Sequence, residues 1–124
     1  MRIVFLIGLG SFIGGVGRYL LSQFIQNKAL TAFPYGTLTV NIIGCFLIGI
    51  AYGLTERHGL SNEWRLFLAT GILGGFTTFS AFSYESISLM RDGQAGTALL
   101  YIGCSIVLGL LATYGGLWAV SYGQ

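Results

Sequence analysis

Residues 93–124 read GQAGTALLYIGCSIVLGLLATYGGLWAVSYGQ, and this stretch contains no charged side chain. Residues 29–55 and residues 66–84 are uncharged too, and residues 3–25 contain a single charge, Arg18. A helix needs roughly 20 mostly apolar residues to cross a bilayer, and lipid requires every backbone polar group to be paired internally, which selects helices. The pattern therefore predicts an all-α membrane protein. Its four transmembrane helices are expected near residues 3–25, 36–55, 64–91 and 94–121.

The composition agrees with this prediction. Of the 124 residues, 54% are hydrophobic and only 8% are charged, with six basic and four acidic side chains. A soluble domain carries about 25% charged residues, and a disordered segment is poor in apolar residues. These values exclude a disordered chain, a large enzyme and a tail that binds nucleic acid, and they indicate one small transmembrane domain over residues 1–124.

The basic residues divide evenly between the two sides of the predicted helices. Three lie on the side of the termini and three on the other: Arg2, Arg57 and Arg65, against Arg18, Lys28 and Arg91. A membrane protein is normally oriented by an excess of Lys and Arg on the cytoplasmic side. Either other features set the orientation here, or the chain inserts in both directions and pairs as an antiparallel dimer. Four helices are few for enclosing a pore, which also favours an oligomer.

The third predicted span contains an unusual stretch, GGFTTFS, at residues 74–80. Two adjacent glycines followed by two β-branched hydroxyl residues form a poor helix interior. Backbone that leaves a helix at membrane depth is tolerated only where protein or a water-filled cavity covers it. Unwound carbonyls in such a place can hold a small cation, and the free amides of a half-helix favour an anion. We therefore expect a broken third helix with a binding function.

Polar side chains recur at four-residue spacing on two other predicted helices. They are Thr37, Asn41 and Cys45 on the second, and Tyr101, Ser105 and Thr113, with Gly109 at the missing step, on the fourth. Each stripe alone is compatible with hydrogen bonds between helices, worth about 0.6–2 kcal/mol per contact. Two stripes together favour a water-accessible path. The small-xxx-small pairs Gly10 and Gly14, and Gly49 and Gly53, predict close helix packing.

The predicted spans do not contain the groups that catalysis requires. They have no His-x-x-His motif, no paired carboxylates and no nucleophile–base pair, and their only acidic residue is Glu85. Phe79 and Phe82 lie on one helical face after the glycines, and the positive edge of an aromatic ring can contact an anion. The sequence indicates transport of an ion rather than an enzyme.

Three motifs of the chain, in order, resemble those of the Fluc (CrcB) family of fluoride channels. They are GGVGRY at residues 14–19, GTLTVNIIG at residues 36–44 and GILGGFTTFSAFS at residues 71–83. The resemblance covers essentially the whole chain. Two positions depart from the family pattern: Ala81, where many members carry Thr, and Gly109, where some carry Ser. Both reduce the number of hydroxyls without changing the central motif.

The resemblance implies passive, selective fluoride export across a bacterial inner membrane by an antiparallel, dual-topology homodimer with two pores, each lined by both subunits. It implies that Phe79 and Phe82 are pore-lining rings and that Asn41 is the polar group reaching them. Further lining is implied for the hydroxyls of Ser80, Tyr101, Ser105 and Thr113. Arg18 would lie near a vestibule, where it draws anions in or pairs with another group. The backbone carbonyls of Gly74 and Thr77 would bind a central sodium ion.

Two other functions stay open on the residues alone. A small proton-coupled multidrug exporter would need an acid near the middle of the first helix, where this chain has Arg18. A non-transporting membrane scaffold subunit would explain the glycines. It would not explain the GGFTTFS stretch or the two polar stripes.

Overall fold

The computed structural model describes residues 1–29, 31–59 and 61–122, and this part of the chain is helical apart from short connections. Its elements are α1 (Arg2–Ala29), α2 (Tyr35–His58), α3 (Asn62–Arg65), a π-helix (Leu66–Leu73), α4 (Gly74–Phe76), α5 (Phe79–Arg91) and α6 (Ala95–Tyr122). Four segments are long and apolar enough to cross a membrane: Arg2–Ala29, Tyr35–Arg57, Asn62–Arg91 and Ala95–Val120. The predicted all-helical class is confirmed, and the four segments that are apolar enough to cross a membrane coincide with the four predicted spans to within four residues at each end.

Polar groups and a glycine define the ends of α2. The side chain of Gln26 donates to the carbonyls of Thr31 and Phe33 and accepts from the backbone N–H of Gly36 at 3.0 Å, which satisfies an orphan donor of the first turn. Gly59 ends the helix with φ of 66°, a left-handed conformation in which glycine is preferred. The connections are therefore short and internally bonded.

Glycines bring α1 very close to the third segment, Asn62–Arg91. A Cβ atom on Gly10 would lie 2.8 Å from the carbonyl oxygen of Phe67, and one on Gly14 would overlap the carbonyl oxygen of Ile72. From the other side, a Cβ on Gly75 would lie 2.6 Å from the carbonyl oxygen of Ser11. Only residues without a side chain permit this approach, so the predicted close packing of α1 is confirmed.

A second glycine-mediated contact joins α2 and α6. A Cβ on Gly49 would overlap the Thr113 carbonyl oxygen, and one on Gly116 would overlap the Phe46 carbonyl oxygen. Backbone approach of this kind is typical of membrane helices, where hydrophobic burial does not drive helices together. The molecule thus contains two tightly packed pairs, α1 with the third segment and α2 with α6.

Most large apolar side chains point away from the protein interior. Exposed examples on α6 alone include Leu99, Leu100, Leu110, Leu111 and Trp118. Fully buried large side chains are few, Tyr101 and Val40 among the described residues. Contiguous apolar surface of this extent marks contact with lipid or with another protein, and together with the four spans it identifies a multi-pass membrane protein.

Candidate functional site at the Thr77–Thr78 junction

Two residues of extended backbone, Thr77 and Thr78, separate α4 from α5; we call them the junction. Their φ and ψ are −93° and 156° for Thr77 and −148° and 121° for Thr78, a region that β-branched residues favour. The Thr78 hydroxyl accepts from the N–H of Ala81 at 3.1 Å and so caps α5. Thr77 donates its N–H and its hydroxyl to the Leu73 carbonyl, which closes the preceding turn. Hydroxyls at both positions therefore complete the two helix ends.

Asn41 of α2 holds the junction with a pair of hydrogen bonds. Its Nδ2 donates to the Thr78 carbonyl at 3.1 Å, and its Oδ1 accepts from the Thr78 N–H at 2.9 Å. Extended backbone inside a helical protein has no neighbouring strand to accept and donate its hydrogen bonds. A buried polar group left without a hydrogen bond lowers the stability of the fold by about 1–3 kcal/mol. Asn is suited to this position because its amide carries both a donor and an acceptor.

The junction leaves the carbonyls of Gly74 and Thr77 without their α-helical donors. Those donors would be the N–H groups of Thr78 and Ala81, which instead donate to Asn41 and to the Thr78 hydroxyl. Gly74 is exposed at this point. Carbonyl oxygens are suitable ligands for hard cations. In the described part of the chain, no group of three or more His, Cys, Asp or Glu side chains is placed to hold a metal.

Arg18 of α1 binds the carbonyl between those two positions. Its Nε donates to the Gly75 oxygen at 3.1 Å, and the Arg18 side chain is half-buried. The sequence left open whether Arg18 attracts anions or pairs with another group. The structure provides a partner for it in the backbone of α4.

A groove of about 300 Å³ lies beside the junction, between α2, α5 and α6. Its lining carries no charged side chain and consists of Asn41, Cys45, Ile48, Thr77, Thr78, Phe79, Phe82, Ser105 and Ile106. The hydroxyl oxygen of Ser105 is buried and has no hydrogen-bond partner among the described residues. The groove therefore brings together four of the residues that the sequence predicted for a lining: Asn41, Phe79, Phe82 and Ser105.

Aromatic rings lead from the surface into the interior next to the groove. Phe79 is 78% exposed, and its ring centroid lies 5.6 Å from that of Phe82. The Phe82 ring lies 5.3 Å from Tyr101, which is fully buried and packs edge-on against Phe33 at 5.6 Å. Phe82 is therefore held by neighbours on both sides, whereas Phe79 is free to contact something outside this chain.

Three residues predicted for the lining lie outside the groove and use their hydroxyls differently. Thr113 donates to the Cys45 carbonyl at 3.1 Å and so links α6 to α2. Ser80 is exposed, with its hydroxyl 3.3 Å from that of Thr78. Tyr101 donates to the carboxylate of Glu85 at 3.1 Å. Two hydroxyls of the α6 stripe, those of Tyr101 and Thr113, therefore form hydrogen bonds to other helices.

Glu85 receives hydrogen bonds from two helices. Thr37 of α2 donates to its Oε2 and Tyr101 of α6 to its Oε1, each at 3.1 Å. Two hydroxyl donors satisfy both oxygens of a half-buried carboxylate. The sequence did not reveal this cluster, because its members are far apart along the chain. The signals were the polar stripes that contain Thr37 and Tyr101, and the acidic Glu85 in a predicted span.

The chain was compared with known proteins. Residues 5–117 match the family model described as CrcB-like protein, Camphor Resistance (CrcB). A relative from Phocaeicola vulgatus is 48% identical over 118 residues, which is 95% of this chain and 98% of the relative. A relative from Acidobacterium capsulatum is 45% identical over 90% of this chain and 90% of its own length. A relative from Thermus thermophilus is 48% identical over 88% of this chain and 86% of its own length. Each is named fluoride-specific ion channel FluC.

Proposed function

The chain belongs to the CrcB-like protein family, and on this premise we propose that it is a fluoride-specific ion channel that exports fluoride passively across the cell membrane. It is a membrane channel and not an enzyme. The observation that carries the proposal is the groove beside the junction, whose lining has no formal charge but presents two aromatic rings and an unpartnered hydroxyl.

The chemistry of this groove suits a small, strongly hydrated anion. A pore must replace the water around fluoride with hydrogen-bond donors at close range, yet bind it weakly enough for the ion to leave. The Ser105 hydroxyl has no partner among the described residues and can donate, and the positive edges of Phe79 and Phe82 attract an anion without a full charge. A Lys or Arg in the lining would hold the ion more tightly, and the groove has neither.

Two hydroxyls of the proposed lining are occupied in this conformation. Tyr101 and Thr113 each donate their only hydroxyl hydrogen, to Glu85 and to the Cys45 carbonyl. They line the fluoride path only if they rotate away from these acceptors. Ser105 needs no such change, because its hydroxyl has no hydrogen-bond partner among the described residues. Arg18 remains the proposed vestibule residue, with its Nε already bound to Gly75.

The working assembly in this proposal is an antiparallel homodimer with two pores, each lined by both subunits. Three observations support it. The groove is open at one side, where Phe79 is 78% exposed. Large apolar surfaces cover the outside of the helices. The basic residues divide three and three between the two ends, which gives neither orientation an advantage under the positive-inside rule.

A sodium ion at the centre of the dimer completes the proposal. The carbonyls of Gly74 and Thr77 fit such an ion, because their α-helical donors are engaged elsewhere. When bound, sodium would supply a positive charge that offsets the carbonyl dipoles where two junctions meet. Asn41 accepts the Thr78 N–H and the Thr78 hydroxyl accepts the Ala81 N–H. The carbonyls of Gly74 and Thr77 therefore remain available to the ion.

Reconstituted liposomes test the proposed function. Vesicles loaded with fluoride or chloride and containing the purified protein are diluted into ion-free buffer with a potassium ionophore, and anion release is recorded. We expect rapid fluoride efflux and chloride efflux at the level of protein-free vesicles. Equal release of both anions would contradict selectivity. Cation flux that requires a proton gradient would indicate the exporter, and no flux at all would indicate the scaffold.

A further inference from the structure

Arg18 lies on α1 at the place where this helix packs against α4. A Cβ on Gly14, one turn earlier, would lie 2.9 Å from the backbone nitrogen of Phe76, and a Cβ on Gly75 would lie 2.6 Å from the Ser11 carbonyl oxygen. The backbones of the two elements are therefore in close contact. This contact places the Arg18 Nε within 3.1 Å of the Gly75 oxygen.

The Gly75 carbonyl has no ordinary helical donor. In a continuous α-helix its donor would be the N–H of Phe79, which here lies beyond the extended residues of the junction. A carbonyl at a helix C-terminus carries partial negative charge and is stabilised by a cation. Arg18 supplies both the hydrogen bond and the positive charge.

Gly74 and Gly75 have no side chain that would restrict their backbone conformation. Glycine has more accessible backbone conformations than any other residue, so a Gly-Gly pair at a helix end does not hold its peptide planes by itself. On one side, α1 restricts Gly75 by direct backbone contact with Ser11. At its carbonyl, the restraint is the hydrogen bond from Arg18.

We propose that Arg18 is a positioning residue for the cation site: by holding the Gly75 carbonyl, its Nε–H fixes the direction of the carbonyls of Gly74 and Thr77. This inference rests on the sodium site of the proposed function. In this proposal the role of Arg18 depends on a single N–H group, that of Nε, at the Gly75 carbonyl. Attraction of anions by Arg18 would depend only on its charge.

Two substitutions separate these tasks. In Arg18→Gln the side-chain nitrogen stands the same number of bonds from the backbone as the arginine Nε, so the donor is kept and the charge is lost. In Arg18→Lys a methylene group takes the place of Nε, so the charge is kept and the donor at that position is lost. Arg91→Lys makes the same change at an exposed arginine at the end of α5 and is the matched control.

The first measurement is the thermal stability of the purified dimer as sodium replaces a large organic cation. A ligand that binds only the folded state stabilises it by RT ln(1 + [L]/Kd), so Tm begins to rise when the sodium concentration exceeds Kd. We expect Arg18→Lys to raise the sodium concentration at which Tm begins to rise by about tenfold or more, as for other residues that orient metal ligands. Arg18→Gln and Arg91→Lys should remain near the wild-type concentration.

The second measurement does not depend on sodium or on flux. Amide hydrogen exchange of the segment 74–81 reports local opening of the junction. We expect exchange about tenfold faster in Arg18→Lys than in wild type, and unchanged exchange in Arg18→Gln and Arg91→Lys. If wild-type Tm does not respond to sodium, the sodium site of the proposed function fails, and this exchange measurement alone decides whether Arg18 positions the backbone.

The inference is overturned if Arg18→Lys behaves as wild type in both measurements, or if Arg18→Gln is impaired as much as Arg18→Lys. Should Arg18→Lys aggregate, Arg18→Met, which has neither donor nor charge, takes its place. If Arg18 positions the backbone, Arg18→Gln should then match wild type in sodium response and hydrogen exchange, and Arg18→Met should be impaired in both. Equal impairment of the two variants would show that charge is what matters.

Discussion

Asn41 joins α2 to the junction through both of its amide atoms. The oxygen accepts from the Thr78 N–H and the nitrogen donates to the Thr78 carbonyl. Aspartate has the same shape but no donor, so it can replace only one of these bonds. It would also bring a negative charge to the groove that Asn41 lines.

We predict that Asn41→Asp abolishes fluoride efflux. The carboxylate repels the anion, and the Thr78 carbonyl loses its donor, which costs about 1–3 kcal/mol in a buried setting. Efflux from reconstituted liposomes measures the first effect and Tm the second. Asn62→Asp is the control, because Asn62 is exposed and its side-chain oxygen is an acceptor that aspartate retains. Normal conduction by Asn41→Asp would remove this residue from the mechanism.

The two rings of the groove lead to a separate prediction. Phe79→Ile and Phe82→Ile should each slow fluoride efflux by at least about tenfold, since an aliphatic side chain has no positive edge to stabilise the ion in the pore. Phe79 is 78% exposed in the single chain, so its replacement should remove little packing within that chain. Phe5→Ile, at another exposed phenylalanine, is the control. Wild-type flux in both ring variants would contradict the proposed role.

The sequence predicted which residues belong to the candidate site, but it could not predict their hydrogen-bond partners. The cost of an amide in an apolar helix pointed to Asn41, and the GGFTTFS stretch pointed to the region of the junction. Which atom binds which could not be predicted. The bonds from Asn41 to Thr78, from Arg18 to Gly75 and from Tyr101 to Glu85 depend on helix rotation and on separations of 37, 57 and 16 residues along the chain.

At the scale of elements, the junction depends on how closely α1 approaches the third segment. Gly14 makes this approach possible, because a Cβ there would overlap the Ile72 carbonyl oxygen and lie 2.9 Å from the Phe76 nitrogen. At the adjacent Gly15, a Cβ would have no such neighbour within 4 Å. The two glycines are therefore a matched pair.

We predict that Gly14→Ala destabilises the protein by about 1–3 kcal/mol, because the extra methyl group forces α1 and α4 apart. Gly15→Ala should have little effect or stabilise by up to about 1 kcal/mol through helix propensity. Thermal unfolding in detergent measures both. If the two variants unfold at the same temperature, close approach of α1 is not what holds α4 in place.

The spans were predictable because their length and their lack of charge are fixed by the bilayer. Details within the third span were not. Residues 66–73 form a π-helix, which no propensity scale indicates. Its residues Ala69 and Gly71 are buried. The depth of the junction within a membrane stays a prediction.

At the scale of the whole molecule, the even division of basic residues leads to a prediction about orientation. Glu56→Arg with Asn62→Arg adds positive charge to the side of the termini, and Asn27→Arg with Gln94→Arg adds it to the other. Each double variant should insert in a single orientation and lose fluoride export, because antiparallel pairing becomes impossible. Co-expression of the two variants should restore export.

A reporter fused to the C-terminus gives the orientation, and fluoride export from cells gives the function. Full export by either double variant alone, in one orientation, would contradict the antiparallel dimer. It would leave the fluoride channel itself unaffected, so the assembly and the activity are tested separately.

The most direct test of passive, fluoride-selective conduction is the potential at which current through reconstituted protein reverses. With a tenfold fluoride gradient and equal chloride on both sides, we expect reversal about 59 mV from zero, the equilibrium potential of a univalent ion. An added pH gradient should leave that value unchanged. Reversal that moves with the pH gradient, or that stays at zero despite the fluoride gradient, would contradict a passive fluoride channel.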